Sequence, residues 1–158
     1  MRADQSHLNT DSVIGTKFID TAYEDIEATC KYLKEEVGVE DIAKVIVAYP
    51  GVLLLNITTE LCPLLDYLYD ENGVGLDKDS VSKMIQTFPL LLSTRNVNKM
   101  RETVQYLQNS LEVSTESLQK IVRAFPSILL LDLEADMLPV VNFLRNTCGV
   151  VNIGRFVT

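Results

Sequence analysis

The chain of 158 residues has no tryptophan, one histidine and three cysteines, and each scarcity limits the chemistry it can support. Cys30, Cys62 and Cys148 lie far apart and form no Cys-x-x-Cys pair, which argues against a zinc site or a dithiol redox pair. Because each cysteine stands among apolar neighbours, we predict that all three are buried and reduced. His7, the only histidine, lies in a polar stretch and has no apparent nucleophile partner.

Long apolar runs and targeting signals are also missing. The longest apolar stretch, residues 45–55, is interrupted by Pro50 and Gly51, and a membrane span needs about 20 residues. The N-terminus has no hydrophobic signal core, and Asp4 and Asp11 disfavour a transit peptide. No glycine-rich phosphate loop or metal-loop spacing is present. We therefore predict that the chain is not an enzyme and has no catalytic residue, cofactor, metal site or membrane segment.

Positive charge is scarce in the first half of the chain. The net charge is −8; residues 1–79 hold 16 acidic and 6 basic groups, whereas residues 80–158 hold 6 acidic and 8 basic groups. Contacts to phosphate come from Lys and Arg, so an acidic chain binds nucleic acid only through a local basic stripe. The acidic N-terminal half favours a different class of function, a scaffold that binds other proteins.

Three segments repeat one pattern, in which an aromatic residue precedes a proline and apolar residues follow it. They read Tyr49-Pro50-Gly51-Val52-Leu53, Phe88-Pro89-Leu90-Leu91-Leu92 and Phe125-Pro126-Ser127-Ile128-Leu129, with the prolines 39 and 37 residues apart. Apolar residues recur four, five and eight positions before each proline, the spacing of one helix face. They recur 11, 15, 17 and 18 positions after it, which predicts a second amphipathic helix.

The boundaries of these units have local causes. Gly38, Asp77 and Ser114 stand twelve residues before the three prolines, at predicted N-cap positions. The signature proline ends the first helix because it lacks an N–H and its ring clashes with the preceding turn. Pro63 and Pro139 stand thirteen residues after a signature proline, and we expect the second helix to begin close to them.

One apolar stripe per helix cannot be buried within a single unit, whereas stacked units share a continuous core. We therefore predict an all-α helical-repeat solenoid with about three complete repeats and partial units at its ends; the alternative is a plain helical bundle. Residues 1–17 are predicted to be a polar, disordered tail, and residues 18–158 to form the repeats. Counting from Gly149 puts the next proline beyond the last residue, so we expect the chain to stop inside a repeat.

Two stretches carry the repeat most fully, residues 81–92 (VSKMIQTFPLLL) and residues 118–129 (LQKIVRAFPSIL). Together with the links Gly38-Val39 and Gly149-Val150, they resemble the repeats of the mitochondrial transcription termination factor (mTERF) family over about residues 20–158. The resemblance implies a superhelix of helix–helix–3₁₀ units that binds double-stranded DNA or organellar RNA in mitochondria or chloroplasts. The implied roles are transcription termination, organelle gene expression and RNA processing.

One position of the repeat is basic in every copy. Lys44, Lys83 and Lys120 occur six residues before the prolines, and Arg155 takes the same place in the last, partial unit. This position lies nearly opposite the core stripe, so stacking would align the cations along one face, where they suit a phosphate backbone. The alternative is that these side chains are merely solvated.

Other cations of the second half extend this predicted nucleic-acid interface, although they do not repeat. The full set of predicted binding residues is Lys44, Lys83, Lys120, Arg155, Arg123, Arg95, Lys99 and Arg101. Aromatic rings also stack on bases in some nucleic-acid-binding proteins. Tyr49, Phe88 and Phe125 lie on the apolar face of the repeat, however, and we predict that they are core residues.

Overall fold

The computed structural model describes residues 23–93 and 97–156, and for Arg155 and Phe156 it describes the main chain alone. Within these ranges every regular element is a helix, which confirms the all-α prediction. The tail predicted for residues 1–17 lies outside the described residues, as does Arg95. No helix in the described part of the chain is long and apolar enough to cross a membrane.

Each proline signature lies between two helices, and the three stretches are here called the Pro50, Pro89 and Pro126 units. The α-helices are α1 (Tyr23–Lys31), α2 (Ile42–Ala48), α3 (Cys62–Tyr69), α4 (Lys78–Thr87), α5 (Val97–Gln105), α6 (Thr115–Ala124), α7 (Leu138–Asn146) and α8 (Ile153–Phe156). The 3₁₀ turns are Pro50–Leu54, Pro89–Ser93 and Pro126–Leu130. The π-helical turns are Tyr32–Glu36, Ile57–Leu61, Tyr106–Ser110 and Leu133–Met137.

The first helix of each unit is capped by a side chain. Asp77 accepts from the Ser80 main-chain N–H at 2.8 Å, and Ser114 accepts from that of Ser117 at 3.2 Å, so both predicted N-caps are confirmed. The prediction for Gly38 is wrong, because α2 begins three residues later than its counterparts and Asp41 caps it. Gly38 lies instead in the link before the helix, where its main chain is left-handed.

That link contains a left-handed residue every 37 positions. The φ angles of Gly38, Gly75, Glu112 and Gly149 are 84°, 71°, 56° and 67°. Glycine adopts such angles without cost, whereas a residue with a Cβ is strained there. Glu112 therefore occupies a glycine position of the repeat.

The second helices contain a π-helical turn whose place depends on proline. Where Pro63 or Pro139 occurs, the π turn comes directly before the α-helix that contains the proline. Proline has no N–H to donate and its ring crowds the carbonyl four residues earlier, which is a physical reason for a wider turn there. In the Pro89 unit, which has no such proline, the π turn follows the α-helix as Tyr106–Ser110.

Most positions predicted to face the core are buried or half-buried, but the prediction for Phe143, seventeen residues after Pro126, is wrong, since 57% of its side chain is exposed. The side chains at these positions that are at most 8% exposed are Val45, Leu61, Leu65, Tyr67, Leu68, Val81, Met84, Ile85, Met100, Val104, Leu107, Leu118, Ile121, Val122, Met137 and Val141. Like elements of neighbouring units also contact each other: α2 packs on α4, α3 packs on α5, and successive 3₁₀ turns touch. The core therefore runs from unit to unit.

Two groups of residues that were predicted to be buried, the aromatic residues before the prolines and the cysteines, are more exposed than predicted. Tyr49 and Phe88 are half-buried against the core, but the prediction for Phe125 is wrong, since 68% of its side chain is exposed. The next first helix after α2 is α4 and the next after α4 is α6, each of full length, whereas the only described helix in that place after α6 is the four-residue α8. All three cysteines are free, as predicted, yet Cys148 is exposed and the other two are only half-buried.

Polar contacts between units recur at fixed register. Ser82 donates to the carbonyl of Gly38 at 2.6 Å, and Gln119 donates to that of Gly75 at 2.7 Å. Both donors stand seven residues before a signature proline and reach back 44 residues to a left-handed link. The links lie outside regular helix, so helical hydrogen bonds do not engage the carbonyls of Gly38 and Gly75. Ser82 and Gln119 satisfy these acceptors from the next unit.

Candidate nucleic-acid interface

The lysines of the repeat lie on the outer side of the first helices. Lys44 on α2, Lys83 on α4 and Lys120 on α6 are all exposed. Within the described residues none of the three makes an ion pair with a carboxylate. The structure thus places this register position toward solvent, as predicted, because it lies opposite the buried stripe of each helix.

A row of carboxylates accompanies these lysines. Glu40, Asp79 and Glu116 are exposed and stand four residues before the lysine of their unit. Asp79 on α4 and Glu116 on α6 lie one helical turn from their lysines on the same face, whereas Glu40 precedes the N-cap of α2. Lys83 and Lys120 are therefore each accompanied by a carboxylate on their own helix.

The side chain of Arg123 on α6 contacts two residues of the preceding unit, Asp77 and Ser80. Its Nη2 lies 3.1 Å from Oδ2 of Asp77, and its Nε donates to Oγ of Ser80 at 2.9 Å. Ser80 in turn donates to the same carboxylate at 2.7 Å. The hydrogen bonds from Ser80, supported by Arg123, lower the pKa of Asp77 to about 2.

These contacts border an open groove between α4 and α6. The groove has a volume of about 300 Å³ and is lined by Ser80, Lys83, Met84, Thr87 and Arg123. Of the predicted binding residues, the structure thus brings Lys83 and Arg123 together. The hydroxyl groups of this groove were not predicted from the sequence; the N-cap position of Asp77 was the one signal that pointed to the place.

Two cations of the predicted cluster after Pro89, Lys99 and Arg101, contact other residues of the protein. Lys99 on α5 forms an ion pair with Asp132 of the next unit, with Nζ 2.7 Å from Oδ2. This contact raises the pKa of Lys99 and lowers that of Asp132. Arg101 lies over the ring of Tyr67, 5.4 Å from its centroid, a cation–π distance. Both cations therefore join second helices of neighbouring units.

The two remaining predicted residues are not placed as side chains. Arg155 lies in α8, whose main chain alone is described at that residue, and Arg95 lies outside the described residues. In the described part of the chain, no group of three or more His, Cys, Asp or Glu residues has the arrangement of a metal site.

The arrangement of helices, proline turns and links agrees with the comparison with known families. No curated protein matches the chain. The family model described as mTERF matches residues 30–152, which is most of the chain and includes all three proline signatures. Proteins of this family are helical-repeat regulators associated with nucleic acid in organelles. The chain belongs to the mTERF family.

Proposed function

We propose that this protein is a non-catalytic, organellar nucleic-acid-binding regulator of gene expression. It binds duplex DNA or structured RNA through the phosphate backbone and serves transcription termination or RNA processing. The observation that carries the proposal is the solvent-facing lysine at one register position of α2, α4 and α6, without a carboxylate partner among the described residues. Family membership supports the same role.

The proposed architecture behind this function is a solenoid of three complete repeats with partial units at its ends. Contacts between equivalent elements of successive units support it. In such a stack, a side chain at a fixed register recurs at a regular spacing along one face. A row of this kind contacts phosphates without reading bases, because phosphate contacts position a protein while base edges provide specificity.

The test is a binding titration with labelled DNA and RNA duplexes of about 20 base pairs, long enough to span several phosphates, at two salt concentrations. We expect the triple variant Lys44→Gln, Lys83→Gln and Lys120→Gln to bind more weakly than the wild type. On duplex DNA its salt dependence should be shallower by up to about 0.9 log units for each phosphate that the variant no longer neutralises. The matched control changes three other lysines outside the row, Lys31, Lys34 and Lys78, to Gln.

The control has the same net charge as the test variant, so it separates the lysine row from overall charge. Equal weakening of the two triple variants would reject the row as the binding face. Failure of the wild type to bind either duplex at about 50 mM salt, where phosphate contacts are strongest, would reject nucleic-acid binding by this chain.

A second candidate function, a scaffold for proteins, rests on a different surface. Phe125, Val140 and Phe143 belong to the Pro126 unit and are 57–68% exposed. Exposed aromatic and apolar side chains are typical of protein-binding surfaces. Under this proposal, changing Phe143 to Ser should abolish capture of a protein partner while leaving the duplex titration unchanged.

A further inference from the structure

The groove between α4 and α6 differs from its counterpart one unit earlier. Three residues before Pro126 stands Arg123, whereas three residues before Pro89 stands Gln86. Both side chains reach back to the N-cap of the preceding first helix; the Oε1 of Gln86 accepts from the Asp41 main-chain N–H at 3.4 Å. The groove between α4 and α6 is thus lined by two cations, Lys83 and Arg123, whereas the corresponding residues of α2 and α4 are one cation, Lys44, and the neutral Gln86.

Arg123 retains hydrogen-bonding capacity toward this groove. A guanidinium has five N–H donors, and described residues engage two donor atoms, Nε at Ser80 and Nη2 at Asp77. Its side chain is 41% exposed. The hydroxyl groups of the groove are already engaged, since Ser80 donates to Asp77 and Thr87 donates to main-chain carbonyls of its own helix. Two cations with unused donors thus share one open groove.

We propose that the groove between α4 and α6 binds one phosphate of a polynucleotide backbone, held by Nζ of Lys83 and the guanidinium of Arg123. This inference rests on the proposed nucleic-acid-binding function and names its strongest single contact. Asp77 is a positioning residue in this site. Its carboxylate orients Arg123, but its negative charge also opposes the phosphate.

This arrangement predicts that removing the charge of Asp77 tightens duplex binding and that removing either cation weakens it. Asp77→Asn keeps an N-capping oxygen and a hydrogen-bond acceptor for Arg123 while removing the charge. We expect it to tighten duplex binding about twofold to fivefold, the range of a single exposed ion pair. Arg123→Gln reproduces the residue that the preceding unit carries at this position, so the helix tolerates it. We expect it, and Lys83→Gln, to weaken binding by about threefold to fivefold.

The experiment measures fluorescence anisotropy of the same labelled DNA and RNA duplexes with the full chain. Matched controls carry the same charge changes on other surfaces: Asp66→Asn on α3 for Asp77→Asn, and Lys34→Gln for the two cation variants. Each control should change the Kd less than its test variant does. On duplex DNA the cation variants should each lower the salt slope by about 0.9, and circular dichroism verifies that every variant is folded.

Three outcomes overturn the inference. If Asp77→Asn and Asp66→Asn act equally, or if the cation variants act no more strongly than Lys34→Gln, the groove is not a phosphate site, while the proposed function stands. If inorganic phosphate saturates the groove at micromolar concentration, and Arg123→Gln removes that binding without affecting the duplexes, the ligand is free phosphate. If the wild type binds neither duplex, the proposed function and this inference both fail.

Discussion

The guanidinium of Arg123 joins two repeat units, because its Nη2 lies 3.1 Å from the carboxylate of Asp77, the N-cap of the preceding first helix. One residue of the repeat thus contributes both to the contact between units and to the groove between α4 and α6. An exposed ion pair of this kind stabilises a fold only slightly. Its importance lies in orienting a cation at the surface where we propose that phosphate binds.

Asp77 makes stability depend on pH in a defined window. Its pKa is lowered from 3.8 to about 2 by hydrogen bonds from Ser80 and by Arg123. The folded state binds this proton more weakly than the unfolded chain, so the ionised group stabilises the fold above about pH 4. That stabilisation disappears as the pH falls toward about 2. We expect the melting temperature of the wild type to exceed that of Asp77→Asn near neutral pH, and the difference to shrink as the pH falls through this window.

The matched control for this titration is Ser114→Asn. It changes the N-cap of α6, which carries no titratable group, so its effect should be constant over the same pH range. A difference between the wild type and Asp77→Asn that does not vary from neutral pH down to the folded-state pKa would contradict the lowered pKa of Asp77.

Glu112 occupies a link position where the other units carry glycine. Because its φ of 56° strains an L residue, we expect Glu112→Gly to raise the free energy of unfolding by about 1 kcal/mol. The converse change, Gly149→Ala, should lower it by a similar amount; no atom lies within 4 Å of the added Cβ, so its cost comes from the backbone alone. Urea unfolding measures both, and a destabilised Glu112→Gly would show that the side chain makes a contact worth more than the strain.

Ser82 stabilises the contact between the Pro50 and Pro89 units. Its buried hydroxyl donates to the carbonyl of Gly38, and removing it leaves an acceptor without that donor, so Ser82→Ala should cost about 1 kcal/mol. Alanine fits this register, because Ala43 occupies it in the Pro50 unit. Ser93→Ala is the control, since the Ser93 hydroxyl donates within its own 3₁₀ turn. Equal costs in urea unfolding would contradict the role of Ser82 between units.

The exposure of Phe125 leads to a prediction opposite to the one its sequence position suggests. With 68% of its side chain in solvent, Phe125→Ala should cost less than about 1 kcal/mol, because the native fold removes little of its apolar area from water. Leu118→Ala in the same helix removes a fully buried side chain and should cost about 2–5 kcal/mol. Thermal unfolding of the two variants distinguishes these cases; a comparable destabilisation would mean that Phe125 is buried in solution.

Most of the fold follows from periodicity. The offsets of apolar residues from Pro50, Pro89 and Pro126 predicted which helix faces are buried, since a helix turns by a constant angle per residue. The N-caps Asp77 and Ser114 were predictable for a similar reason, because capping depends on residues within one turn. Gly38 was not, since α2 begins later than its counterparts and Asp41 supplies the cap.

The candidate site was less predictable. Sequence offsets identified Lys83 and Arg123 separately, but their shared groove depends on how α6 packs on the unit before it. The same is true of Lys99 and Arg101, whose charges are engaged by Asp132 and Tyr67 across unit boundaries. Long polar side chains reach neighbours distant in sequence, and no local pattern specifies which neighbour lies within reach.

The sequence alone determined the repeat, its helical class, its buried faces and the recurrent solvent-facing lysine, because these depend on spacing along one chain. Only the tertiary structure decided that Arg123, Lys99 and Arg101 contact carboxylates or a ring of neighbouring units. It also decided that Phe125 is exposed, since burial depends on what packs against a side chain. Local periodicity specifies the direction in which a residue points, whereas its partner is set by the stacking of units.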